Sequence, residues 1–150
     1  MIQGLTLLPD GRYYDRLHLH LGQAQRRIYV SMFLMSPRWY DKTVNLLADF
    51  TQASQRGLQC RMVLSAAPLK IGHKRPNQEA AQRLAEAGWL VRVMDRRRTL
   101  HEKLILIDED ITIFGSHNLA WSSISSNCEL SCCIQDPDLN RQAEALFWQR

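Results

Sequence analysis

Between residues 101 and 129 the sequence sets out a nucleophile, a cation and several neutral donors at fixed intervals: His101, Lys103, Asp108, Gly115, Ser116, Asn118 and Glu129. A neutral imidazole is a competent nucleophile toward phosphorus. An ammonium two residues along can neutralise the oxygens of a phosphoryl group. Leu100 to Asp108 reads as a strand, where side chains alternate, so His101 and Lys103 share a face while Glu102 and Asp108 leave from the other. Gly115-Ser116 follows a second apolar run and permits close backbone approach. Ser116 and Asn118 offer hydroxyl and amide donors where an anion would sit, near the start of a helix. The carboxylates of this region form no cluster that would cage a divalent metal. The pattern points to phosphoryl transfer in which lysine and asparagine do the electrostatic work, with no metal and no cofactor. Parity separates Asp108 from His101 and gives it a supporting, hydrogen-bonding role.

The spacing is HxK(x)4D(x)6GSxN, with no substitution at its defining positions. Six fixed residues, each a few per cent of average composition, coincide by chance on the order of once in 10⁸ windows. The segment resembles the HKD signature of the phospholipase D superfamily, and the chain is similar to its single-motif members, which include small bacterial endonucleases and a mitochondrial cardiolipin hydrolase type. The resemblance implies a single-domain α/β fold over residues 1–150, with a mixed central sheet flanked by helices on both faces. It implies a metal-independent phosphodiesterase working through a phosphohistidine. His101, Lys103, Ser116, Asn118 and Glu129 are its expected catalytic set, and Asp108 and Gly115 support the site. The family places an acidic residue where Glu129 stands, and a carboxylate there would fix the tautomer of the His101 imidazole.

One motif supplies one histidine, whereas cleaving a phosphodiester needs a nucleophile and an acid for the leaving oxygen. The resemblance therefore implies a homodimer with the active site at the two-fold axis, where both copies of one patch meet. The competing arrangement is a monomer that recruits its own His73 or His117. His117, at the variable position of the motif, is expected as a neighbour of the substrate.

Charge bears on the substrate. From Arg56 to Lys103 there are 11 Lys+Arg against 4 Asp+Glu, and 8 against 11 elsewhere. A basic middle third suggests a polyanion-facing surface, although ordinary solvated side chains give the same count. Arg96, Arg97 and Arg98 precede the motif strand, and Lys70, His73, Lys74 and Arg75 form a second basic group in a loop. Both would rim a groove that tracks a phosphate backbone, so nucleic acid, DNA or RNA, is the first expected partner. Trp39, Tyr40 and Trp89 could stack on bases, but packing in the core is the commoner use of such residues. The competing readings are a phospholipid phosphodiesterase of the cardiolipin type and an inactive nucleic-acid-binding module.

The remaining composition is that of a globular domain: 150 residues, 45% hydrophobic and 23% charged, with a net charge of +4. Cys60, Cys128, Cys132 and Cys133 match no zinc spacing and read as reduced, inert thiols. The most apolar stretch, from Ile28 to Met35, is far too short to span a bilayer. The N-terminal residues carry no export signal, so the expected location is cytoplasmic, without stable membrane insertion.

Helix and strand alternate around the motif. Helices are expected over 13–26 and 41–56, with Gly57 as the stop, and over an Ala-rich stretch to Ala87 that Gly88 closes. Strands are expected over 27–35, 58–65, 89–94, 100–108, 111–114 and 129–134. Asp136 at N-cap and Pro137 at the first helical position open a last helix.

Overall fold

The apolar run from Ile28 to Met32 has no polar face because both of its faces are covered. The computed structural model, which describes residues 4–36, 46–66, 75–94 and 97–150, places this run near the middle of a single sheet. Its strands are β1 (Leu5–Pro9), β2 (Arg27–Met32), β3 (Gln59–Ser65), β4 (Leu90–Met94), β5 (Lys103–Ile107), β6 (Ile111–Gly115) and β7 (Leu130–Gln135). They lie in the order β1-β7-β6-β5-β2-β3-β4. β2, β3 and β4 run parallel, while β5, β6, β7 and β1 continue antiparallel from β2. The sheet is mixed, as the sequence implies.

Helices α1 (Arg12–Gln23), α2 (Leu46–Gln55) and α3 (Pro76–Glu86) cover one face. There Leu17, Leu21, Phe50 and Leu84 pack on Ile28, Val30, Leu64 and Ile105. Helix α5 (Pro137–Phe147) covers the other face, where Ala143 and Phe147 pack with Tyr29, Val63 and Leu106. Alternate residues of β2 thus serve two cores, which accounts for a run in which only the buried Ser31, donating to Glu102 at 2.8 Å, is polar after Arg27. Helix α4 (Trp121–Ser125) is a short turn after β6.

Local signals act as expected at several boundaries. The Asp136 carboxylate accepts the Asp138 and Leu139 N–H groups at 2.8 and 3.0 Å, and Pro137 follows at the first helical position. Gly57 and Gly88 stop α2 and α3 at φ of +81° and +98°. The expected helix start at Asp41 lies outside the described residues. Strand β1 was not expected: its five residues end in proline and pair only with β7, at the sheet edge.

Candidate active site

Antiparallel pairing brings the motif residues other than Asp108 together at one end of three adjacent strands. Lys103 opens β5, Gly115 closes β6 and Leu130 opens β7, in a register that sets Leu104 opposite Phe114 and Gly115 opposite Ser131. With strands about 4.8 Å apart, the His-Lys pair, the Gly-Ser pair and Glu129 all fall within a few residues' reach of one another.

The Lys103 ammonium lies 2.9 Å from the His101 carbonyl oxygen and 3.2 and 3.3 Å from that residue's two ring nitrogens. Phe33, just beyond β2, supports both residues: its ring centroid is 4.8 Å from that of His101 and 5.2 Å from the lysine nitrogen. His101 itself is exposed. Partial burial lowers the Lys103 pKa, against the charge of Glu129, which acts to raise it.

The second half of the site is a hydrogen-bonded ring around Glu129. Ser116 donates to its carboxylate, as does the Asn127 amide at 3.2 Å. The Glu129 N–H donates to the Asp10 carboxylate at 2.9 Å, which ties the ring to the turn after β1. Burial would raise the Glu129 pKa, but hydrogen bonds from Ser116, Asn127 and Ser123 and the nearby His117 outweigh it and hold the carboxyl low. Among the described residues Glu129 makes no hydrogen bond with the His101 of its own chain, so the expected orienting contact is not made within one chain. Asn118 donates its backbone N–H to Ser123 at 3.2 Å, while its side-chain oxygen is buried without a partner. An unpaired buried amide oxygen is costly in a packed interior.

Asp108 stands at the far end of β5. Its carboxylate accepts the backbone N–H groups of Gln25, Arg26 and Arg27 at 2.8 to 3.2 Å, and it adopts a left-handed φ of +50° at the turn into β6. It ties the start of β2 to the end of β5, remote from the imidazole. Gly115 has a φ of +157°, and a Cβ there would collide with the backbone and hydroxyl of Ser131, so β6 and β7 can approach only with glycine.

His117 corrects an expectation. It is fully buried at 0% exposure, not a neighbour of substrate. Its ring stacks on Tyr13 with centroids 4.3 Å apart, its Nε2–H donates to the Asp10 carbonyl at 3.0 Å, and its Nδ1 accepts from Ser131 Oγ at 2.8 Å. Burial lowers its pKa. Both ring nitrogens are occupied, which removes it as a second catalytic histidine within the chain.

Sequence reasoning missed Phe33, Asp10 and Asn77. The Asn77 amide accepts the Met35 N–H at 2.8 Å and donates to the carbonyls of Phe33 and Ser65 at 2.7 and 2.9 Å, clamping the ends of β2 and β3 behind His101. Phe33 was signalled only by its place at the end of an apolar run, and Asn77 by nothing local. Of the expected basic rim, Arg97 and Arg98 are exposed between β4 and β5, and Arg75 is exposed before α3, with its guanidinium 3.4 Å from Gln78. Arg96, Lys70, His73, Lys74, Trp39 and Tyr40 lie outside the described residues. Trp89 is buried, donating its indole N–H to the Phe50 carbonyl at 2.9 Å. The four cysteines are free thiols.

Residues 17–150 match the family described as cardiolipin synthase, PLD-like domain. The chain belongs to that PLD-like family. It is 28% identical over 136 residues to cardiolipin synthase B of Escherichia coli, an alignment covering 81% of this chain. The chain spans under a third (31%) of that relative's length. The PLD-like fold is shared with Nuc, a phospholipase D family member from Salmonella typhimurium, at a TM-score of 0.81 and 17% identity, covering 97% of this chain and 93% of that one. NucT from Helicobacter pylori is similar over the same shares, at a TM-score of 0.78 and 12% identity. Among the described residues no helix is long and apolar enough to cross a membrane.

Proposed function

We propose that this PLD-like domain is a metal-independent nuclease whose active site is completed by a second copy of the chain. The observation that carries the reading is the exposed His101 with the half-buried Lys103 beside it, in a chain that covers nearly all of Nuc, with the only other histidine of the motif locked in the core. Two copies meeting at their strand ends would supply two imidazoles. The His101 ring attacks phosphorus, forming an N–P bond as the P–O bond to the leaving group breaks. The partner's His101, protonated, gives its proton to the departing oxygen. It then takes a proton from water, whose oxygen attacks phosphorus and breaks the N–P bond. Lys103 and the Asn118 amide would face the phosphoryl oxygens, while Ser116 and Glu129 hold the β6–β7 side of the site in place. Arg97 and Arg98, with Arg96 beside them in sequence, lead into the catalytic strand and favour a polyanionic substrate.

A second reading, hydrolysis of a phospholipid phosphodiester, is favoured by the cardiolipin synthase relatives and by an apolar cavity of about 370 Å³ beside His101 and Lys103, with Phe114 and Leu146 exposed at its edge. Labelled single- and double-stranded DNA and RNA, incubated in excess EDTA with wild type and His101→Ala, separate the two. Chelator-resistant cutting lost in the variant supports the nuclease. Turnover of cardiolipin vesicles without any cutting of nucleic acid supports the lipid enzyme. Binding of nucleic acid with no turnover of either substrate leaves only a binding module.

A further inference from the structure

On the α5 face, away from the motif, the sheet carries a second cleft of about 210 Å³ between β3, β4 and the end of α5. Its floor is apolar, from Val63 and Leu90, and its rim holds Arg61, Arg92 and Arg150. Trp148 forms one wall and is 53% exposed, yet it is held firmly. Its indole N–H donates to Glu144 at 3.2 Å, and its ring meets Tyr29 and Phe147 edge-on at 5.4 Å. The Arg61 guanidinium lies over the indole, 5.1 Å from the centroid. Among the described residues neither Arg61 nor Arg92 pairs with a carboxylate, whereas Arg150 donates to Glu102, the residue between His101 and Lys103, at 2.6 Å.

We infer that this cleft is an accessory binding site for single-stranded nucleic acid, with Trp148 as a platform for a base and Arg61 and Arg92 as phosphate contacts. The inference deepens the nuclease reading and rests on it for the identity of the polyanion. Three features favour a strand over a protein or lipid occupant. An exposed aromatic fixed by its neighbours can stack on a base with little loss of side-chain freedom, and stacking tolerates any sequence. Neither guanidinium has a carboxylate partner among the described residues, so Arg92 can meet a phosphate bidentately and Arg61 can do so from its place over one face of the Trp148 ring. The cleft also lies near the catalytic strand: the backbones of Arg61 and Lys103 are two strand spacings and three residues along β3 apart, about 14 Å, and Arg61 shares the α5 face with Glu102 while Lys103 leaves from the other. Arg150 bridges that interval, lining the cleft while bonded to Glu102.

The test measures binding apart from cutting. Binding of a fluorescent 12-nucleotide single strand is followed by anisotropy in the His101→Ala protein, alone and combined with Arg61→Gln/Arg92→Gln or Trp148→Ala. Hydrolysis of a small chromogenic phosphodiester by the same cleft variants, with His101 intact, reports on the catalytic site. The double arginine change is expected to weaken binding about 10-fold and to lower the salt dependence by about 0.7 for each phosphate that is no longer neutralised. Trp148→Ala is expected to weaken it roughly 5-fold or more. Hydrolysis of the small diester should stay within about twofold of wild type, which also shows that the variants fold. Strand affinity within twofold of the parent in both cleft variants overturns the inference. So does binding of anionic lipid vesicles, but no strand, through these residues. Failure of the nuclease reading looks different: the cleft variants lose strand binding, but wild type cuts no nucleic acid.

Discussion

Asn77→Ala probes the framework behind the site. The Asn77 side chain is 3% exposed, and its amide orientation is fixed by its partners. The Met35 N–H can only donate and the Phe33 and Ser65 carbonyls can only accept, so the oxygen must face Met35 and the nitrogen the two carbonyls. Truncation to alanine removes three hydrogen bonds, one from the Met35 N–H and two to the Phe33 and Ser65 carbonyls at the ends of β2 and β3. At about 1–3 kcal/mol for each hydrogen bond lost from a buried backbone group, and with partial relief from water, the expected loss is about 3–6 kcal/mol. That is a large part of the roughly 5–15 kcal/mol that holds a domain together. Asn77→Asp sharpens the test, because a carboxylate keeps the bond from Met35 but turns an oxygen toward two carbonyls. It should be at least as damaging as alanine despite its near-identical shape. Urea unfolding followed by circular dichroism gives both values. A loss below about 1 kcal/mol for alanine, or an aspartate variant as stable as wild type, would refute the assignment of Asn77 as the clamp between β2 and β3.

Asp108→Ala should cost about 2–3 kcal/mol, because three backbone N–H groups lose a charged acceptor, yet leave the folded protein active. His101→Ala should do the reverse, and urea unfolding beside turnover of a small phosphodiester checks both. Burial depresses the His117 pKa, so its contribution to stability is present above the ordinary histidine value of about 6.5 and is lost as pH falls toward the folded value. His117→Gln removes that titration, and its stability should fall less between pH 7 and 5 than that of wild type in matched denaturant titrations. Ser116→Ala removes a donor from Glu129, so the low carboxyl pKa should move upward. The stability this carboxylate supplies, present above the ordinary glutamate pKa and lost as pH falls through its folded value, should then disappear at higher pH. Carboxyl-carbon NMR titration would show the shift, and an unmoved Glu129 would contradict the described ring.

The parts of this fold that could be read from sequence are those that short-range chemistry decides. Asp136-Pro137 carries its own cap, Gly57 and Gly88 carry the positive φ of a helix stop, and the run after Arg27 is apolar on both faces because two cores meet it. The spacing from His101 to Asn118 likewise brought out the two ends of a hairpin that the register of β5 and β6 juxtaposes. What escaped depends on partners far along the chain. Leu5–Pro9 is a strand only because β7 offers an edge, and Asn77 is a clamp only because β2 and β3 end beside it. His117 shows the same limit from the other side. Its place inside the motif suggested a neighbour of substrate, but Tyr13, Ser131 and Asp10, up to 107 residues away, hold it in the core.

In the proposed mechanism two copies of His101, one from each chain, act on one phosphodiester. Wild type and His101→Ala, mixed in equal amounts, unfolded together and refolded, test it through hydrolysis of a small chromogenic diester, which needs no decision between nucleic acid and lipid. Random pairing makes about a quarter of the dimers fully wild type, and a shared site predicts activity near a quarter of the unmixed protein at the same total concentration. Activity near one half would mean that each chain works with its own histidine, and would contradict the account.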